Sequence, residues 1–277
     1  MPELPEVETV MRGLEPAMVG QKIAFVNKRR PDLRVPFPKN IKSVLEGARV
    51  LNMTRRAKYI LIHTDQSHVL VIHLGMSGRI LIETNRDYKP QKHDHIILTM
   101  ADKTQIIYND PRRFGMIFFV KNGEFEIHKA FKDMGPEPLG NDFNAPVLQA
   151  RLKGKTTSIK QALLDQRVVV GLGNIYACEA LYEAGISPQA AAGSISLARL
   201  EVLTQKIKNV LKRAIDAGGS SLRDYRQASG ELGYFQHSFL VYDREGQVCK
   251  ICASKKPIQR IVQSGRSTFF CSTCQKR

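Results

Sequence analysis

Four of the five cysteines form two pairs, Cys249-Lys-Ile-Cys252 and Cys271-Ser-Thr-Cys274, with eighteen residues between the pairs. Thiols at that spacing suit tetrahedral coordination of one Zn2+, and four thiolates leave the metal no open position, so its role is structural rather than catalytic. Between the pairs, residues 257–262 and 267–270 alternate as two strands joined at Gln263-Ser264-Gly265-Arg266, which sets Arg266 at or beside a hairpin tip. From Arg244 onward there are eight Lys or Arg and one acid, Glu245. Such a basic hairpin suits a phosphate backbone, the plain alternative being a solvated ribbon that contacts protein.

A second chemical signal is Gly171-Leu-Gly173-Asn174 opening a helix. Its glycines let backbone approach a ligand closely, and free amides at a helix start attract an anion. A dinucleotide fingerprint fails, because Tyr176 stands three residues beyond Gly173. The run Arg151, Lys153, Lys155 and Lys160 just upstream favours DNA phosphate over mere packing of a turn.

The third signal is the start, Met1-Pro2-Glu3-Leu4-Pro5-Glu6. Pro2 permits removal of the initiator Met, which would expose a secondary amine able to form a cationic iminium with a sugar carbon. An α-amine is far less basic than lysine, so part of it is neutral near pH 7. Glu3 beside it is placed to give and take protons.

These groups need elements to hold them. The 277 residues carry 42 Lys plus Arg against 26 Asp plus Glu, a formal charge of +16 that fits a polyanion partner, with 43% hydrophobic residues to build cores. Nothing resembles a membrane span, and the acidic first ten residues do not read as a leader, so a soluble, cytoplasmic protein is expected; separately, a monomer is expected. Residues 5–14 read as a helix with Val7, Val10, Met11 and Leu14 on one face. Short β-rich runs follow at 23–26, 59–63, 69–74, 79–82, 95–99, 105–108 and 116–120, predicting a sandwich or barrel. The doubled Pro and Gly of residues 134–140 mark a domain boundary. Helices are then predicted over 158–165, 174–184 and 196–217, and a loop over 218–233. Cys178 reads as a buried thiol, and His93 and His95 as structural or DNA-adjacent.

Seven strings in order closely resemble the bacterial formamidopyrimidine-DNA glycosylases: the Met-Pro-Glu-Leu-Pro-Glu-Val-Glu-Thr start, Arg56-Ala-Lys58-Tyr59, His73-Leu-Gly-Met76-Ser-Gly78, Asp110-Pro-Arg112-Arg113-Phe114-Gly115, Gly135-Pro-Glu-Pro138, Gly171-Leu-Gly-Asn-Ile-Tyr176 and the cysteine ribbon. The resemblance runs end to end. It implies an α+β protein: an N-terminal β-sandwich with a flanking helix (1–133), a linker (134–142), a helix–two-turns–helix domain (143–237) and a β-hairpin zinc finger (238–277). It implies excision of 8-oxoguanine and formamidopyrimidines from damaged double-stranded DNA, with strand cleavage by β and δ elimination, in base-excision repair.

On the same resemblance Pro2 is the nucleophile and Glu3 handles protons on the opening sugar, with Glu6 in the same pocket. Lys58, His73, Asn174 and Arg266 bind phosphates around the lesion, Lys58 and Arg266 counting with the catalytic set. Met76, Arg112 and Phe114 fill the gap left by the flipped base. From sequence alone, Met76 and Phe114 could equally be core residues. Ser220 is a candidate backbone contact to the everted base. An endonuclease VIII type glycosylase acting on oxidised pyrimidines is the nearest alternative, and a non-catalytic zinc-ribbon DNA-binding protein is the alternative from another class.

Overall fold

The computed structural model describes residues 2–220, 233–253 and 256–277. They pack into two compact units: residues 2–132 with 217–220 and 233–234, and residues 133–216 with 235–253 and 256–277.

The first unit opens with helix α1, Leu4–Met18, whose buried stripe Leu4, Val7, Val10, Met11, Leu14 and Met18 recurs at helical spacing. It runs four residues past the predicted end because Pro16, in the last turn, forfeits a single backbone bond and Val19 N–H still closes on Glu15 O. Two four-stranded sheets follow, antiparallel at every pairing. One orders β1 (Ile23–Lys28), β6 (Asp94–Met100), β7 (Gln105–Asn109) and β5 (Arg79–Glu83); the other orders β2 (Val50–Arg56), β3 (Tyr59–Thr64), β4 (His68–His73) and β8 (Met116–Lys121). One core takes Ile23, Ile96, Leu98 and Ile106 from the first sheet, Ile60, Ile62, Leu70 and Ile72 from the second, and the α1 stripe.

Two elements of this unit escaped the sequence reading. Strand β2 breaks strict alternation, its buried Val50 and Met53 lying three apart because the register shifts between Val50 and Asn52. Helix α2, Ile41–Leu45, has five residues, too few to display a 3.6-residue period.

In the second unit Asn144 caps α3 (Ala145–Leu152), its side chain accepting Val147 N–H at 3.1 Å, with Pro146 in the first turn. This helix also went unpredicted. Ser158 and Gln161 form a capping box on α4 (Ile159–Leu164); then come α5 (Asn174–Glu183) and α6 (Leu197–Asp216), and a hairpin of β9 (Gln259–Gln263) with β10 (Arg266–Phe270). Residues 221–232, most of the expected 218–233 loop, lie outside the described residues. Among the described residues no helix is long and apolar enough to cross a membrane.

Candidate active site

Helix α1 begins at its cap residue Glu3, and Pro2, Glu3 and Glu6 are all buried there. The Glu6 carboxylate holds this end together. Its Oε2 accepts the Glu3 N–H at 2.9 Å, while Oε1 accepts the Ser220 N–H at 2.9 Å and the Ser220 hydroxyl at 3.1 Å. An anion here satisfies donors that a helix start leaves orphaned and sits at the positive end of the helix dipole. Ser220, expected to offer its backbone to a ligand, thus has its N–H engaged by Glu6.

Glu8, two residues further along α1, accepts from Arg12 at 2.9 Å and from the Arg55 guanidinium at 2.8 Å. Arg55 in turn donates to Ala57 O at 3.0 Å, bracing the β2–β3 turn. Ala57 takes φ +53°, a left-handed conformation uncommon for a residue with a Cβ and one that clusters where geometry is functional. Lys58 follows it and is buried. The next residue, Tyr59, pairs with His73 across β3 and β4, their rings 4.8 Å apart.

His73 has a defined proton state. Gly75 N–H donates to its Nδ1 at 3.0 Å, so the ring proton of the neutral form sits on Nε2 and makes that nitrogen a donor. Burial, then the nearby Lys58 and Arg34 charges, lower its pKa to about 4. At neutral pH it is an uncharged hydrogen-bond donor.

Met76, Arg112 and Phe114 sit on two turns that nest against each other. Met76 is 39% and Phe114 43% exposed, so neither is a core side chain, and the Arg112 guanidinium lies 4.8 Å from the Phe114 ring centroid. Asp110, fully buried, fastens the turns: Oδ1 accepts the Ser77 hydroxyl at 2.6 Å, Oδ2 accepts Gly115 N–H at 2.9 Å, and Ser77 Oγ accepts Arg112 N–H at 3.1 Å. Gly75 is required by geometry. Its φ is +65°, and a Cβ there would lie 2.4 Å from the Phe114 carbonyl carbon. Beneath them His95 Nε2 donates to Asp110 O at 2.7 Å, a structural use of that ring, while His93 takes part through its backbone, its O accepting Asp110 N–H at 3.1 Å. The Asp110 clasp was not foreseen, although its residues stand in the string that carries Arg112 and Phe114.

The second unit holds Asn174, Arg266 and the cysteines. Asn174 starts α5 and donates through Nδ2 to Ser267 O at 2.8 Å, directly beside Arg266, which is exposed at the hairpin tip. Its Oδ1 is buried and accepts no hydrogen bond among the described residues. Lys160, read with the upstream basic run, is instead fully buried, its ammonium bonded to Ser267 O at 3.0 Å and Thr268 Oγ1 at 2.7 Å. Gln161 meets Ser264 in the turn itself. A groove of about 280 Å³ runs between α4 and the tip, lined by Lys160, Gln161, Asp165, Gln263 and Arg266. Glu179 went unnoticed in the sequence; buried on α5, it accepts the backbone N–H groups of Leu240, Val241 and Tyr242 at 2.8 to 2.9 Å, and burial raises its pKa. An apolar helix face with one acid gives no sequence cue to such a clamp.

The four cysteine sulfurs lie within 4.8 Å of one another, with Cys249 and Cys274 3.8 Å apart and Cys252 and Cys271 3.7 Å apart. Sulfurs about 2.3 Å from a tetrahedral zinc stand roughly 3.8 Å from each other, while a disulfide would need about 2.05 Å. The donor set fits one Zn2+, which ties the hairpin to the rest of its module. Cys178 is buried among Tyr182, Val241, Cys249, Ile258 and Phe269, with no exposure to support redox chemistry.

Known proteins match this chain in domain content and fold. Residues 1–117 match the formamidopyrimidine-DNA glycosylase N-terminal domain, residues 134–226 the H2TH domain of the same enzymes, and residues 246–277 a zinc finger found in FPG and IleRS. Formamidopyrimidine-DNA glycosylase of Dinoroseobacter shibae is 52% identical over 284 residues, with both chains covered completely. The Lactococcus lactis Fpg in complex with abasic-site DNA superposes with a TM-score of 0.90 at 35% identity, covering 99% of this chain and all of that one. The MutM (FPG) protein of Thermus thermophilus gives a TM-score of 0.87 at 39% identity, over 99% and 98% of the two chains. The chain belongs to the formamidopyrimidine-DNA glycosylase family.

Proposed function

We propose that this protein excises oxidised purines, 8-oxoguanine and formamidopyrimidines, from duplex DNA and then nicks the strand by β and δ elimination. The observation that carries the reading is the buried start of α1, where Pro2 is followed by Glu3 whose N–H is pinned by Glu6. Once Met1 is removed, the Pro2 amine is a fixed nucleophile with a carboxyl beside it.

The Pro2 lone pair attacks C1′ of the everted nucleotide and the glycosidic electron pair leaves with the base. Glu3 gives a proton to the ring oxygen as the sugar opens, leaving an iminium between Pro2 and C1′. Loss of a C2′ proton then expels the 3′ phosphate, and a second elimination expels the 5′ phosphate. Lys58 and Arg266 bring positive charge to the phosphates, Asn174 orients the hairpin beside Arg266, and His73 donates through Nε2 without adding charge. Met76 and Phe114 replace lost stacking, and Arg112 donates to the orphaned cytosine. Zn2+, when bound, supplies only cross-linking of the finger.

We assign residues 1–133 to the catalytic sandwich, 134–142 to the linker, 143–237 to the helix–two-turns–helix domain and 238–277 to the finger, in a monomer acting in the bacterial cytoplasm. The test is release of 8-oxoguanine opposite cytosine against release of thymine glycol, with gel analysis of the strand ends. Faster purine release leaving phosphate at both ends supports the reading; faster thymine glycol release favours an endonuclease VIII type activity and overturns it.

A further inference from the structure

Two of the four zinc ligands, Cys249 and Cys271, are fully buried, while Cys252 and Cys274 are partly exposed. Water can solvate the outer pair. The inner pair must take hydrogen bonds from protein, because a buried thiolate without donors is costly. Each C-x2-C knuckle supplies its own backbone amides: those of Ile251 and Cys252 face Cys249, and those of Thr273 and Cys274 face Cys271. One donor breaks that symmetry. The Tyr182 hydroxyl, from the second-to-last position of α5, lies 2.9 Å from Cys249 Sγ.

Tyr182 is 2% exposed, and its ring packs with Val241, Ile258, Phe269 and Cys178 around the inner cysteines. A phenylalanine would fill that space without burying a hydroxyl. A thiolate bound to metal has no proton to give, so the tyrosine is the donor and the sulfur the acceptor. Donation draws charge off the sulfur and lowers its nucleophilicity, which bears on how readily an electrophile, an oxidant or a competing chelator frees the metal.

We propose that Tyr182 is a positioning residue for the zinc, its hydroxyl holding the Cys249 thiolate on the metal from the helix α5 outside the finger. The same helix begins at Asn174, beside the Arg266 hairpin, and carries Glu179, which clamps residues 240–242 ahead of the first knuckle. Helix α5 thereby serves as the template on which the metal module is assembled. This inference stands whatever lesion the enzyme prefers.

The experiment uses the full zinc-loaded chain and its Tyr182→Phe variant. Zinc affinity is measured by chelator competition, and the order in which N-ethylmaleimide modifies the cysteines is read by peptide mapping. The expected result is a roughly 10- to 100-fold loss of zinc affinity, the range typical for removal of an outer-shell hydrogen bond, with Cys249 modified earlier than in the parent. Affinity within twofold and an unchanged order of modification would overturn the proposal, since phenylalanine preserves the packing. If the variant folds poorly, 3,5-difluorotyrosine at position 182 keeps ring and hydroxyl and strengthens the donor; slower zinc release is then expected, and an unchanged or faster rate overturns the proposal.

Discussion

Replacing Glu6 by glutamine is nearly isosteric, yet it sets an amide against two fixed donors. One carboxylate oxygen accepts Glu3 N–H at 2.9 Å and the other accepts Ser220 N–H at 2.9 Å, so either orientation of the amide points its NH2 at a backbone N–H. With the amide nitrogen toward Glu3, the start of α1 loses its acceptor. With the nitrogen toward Ser220, that N–H is orphaned, although the Ser220 hydroxyl can turn to accept. Leaving a buried N–H unsatisfied costs about 1–3 kcal/mol, and losing the charge at the helix start costs roughly 0.3–1 kcal/mol more. The sum is on the order of 3 kcal/mol. At roughly 2–4 °C per kcal/mol for a domain of ~150–250 residues, the transition of the sandwich unit falls by about 6–12 °C. Calorimetry on the full chain reads this, with Ser220→Ala as comparison: it removes only the 3.1 Å hydroxyl bond and should cost about 1 kcal/mol. A Glu6→Gln protein melting within 2 °C of the parent would refute the claim that the carboxylate organises the helix start.

Three further outcomes are expected. His73 has a folded pKa of about 4 against roughly 6.5 unfolded, so the unfolded chain takes the proton first as pH falls; its contribution is intact above about 6.5 and is lost down to about 4, on the order of 3 kcal/mol in total, and His73→Asn should flatten that part of the urea-midpoint profile between pH 7.5 and 4.5. Arg266→Ala should weaken lesion and undamaged duplex alike and reduce the slope of log affinity against log salt by about 1, whereas Phe114→Ala should impair lesion processing more than plain binding; equal effects on both would contradict the assigned roles. Gly75→Ala must push Phe114 backbone aside, since the new Cβ would lie 2.4 Å from its carbonyl carbon, and should cost about 1–3 kcal/mol while lowering lesion discrimination, both measurable by melting and by excision rate.

What the sequence disclosed followed from local periodicity and spacing. Helix α1, seven of the eight sandwich strands and the cysteine pairs each announce themselves in a few neighbouring residues. Strand β2 did not, because its bulge displaces Val50 from the alternation that Met53 keeps, and Leu51 is left 54% exposed. The site divides the same way. The roles proposed for Pro2, Glu3 and the glycine turn follow from residue type alone. By contrast, Glu179 serves amides 61 to 63 residues away and Lys160 reaches a carbonyl 107 residues on, so their roles exist only once the chain is folded. Met76 and Phe114 look like core residues until the nesting of their turns is known.

A terminal imino acid that carries out the covalent step leaves a reducible iminium, which borohydride trapping on 8-oxoguanine duplex followed by peptide mapping locates on the chain. One cross-link per chain is predicted, on the N-terminal peptide at Pro2, in a fraction of molecules no larger than the fraction whose intact mass lacks Met1. A cross-link at Lys58 or another lysine, or trapping by chains that retain Met1, would contradict it.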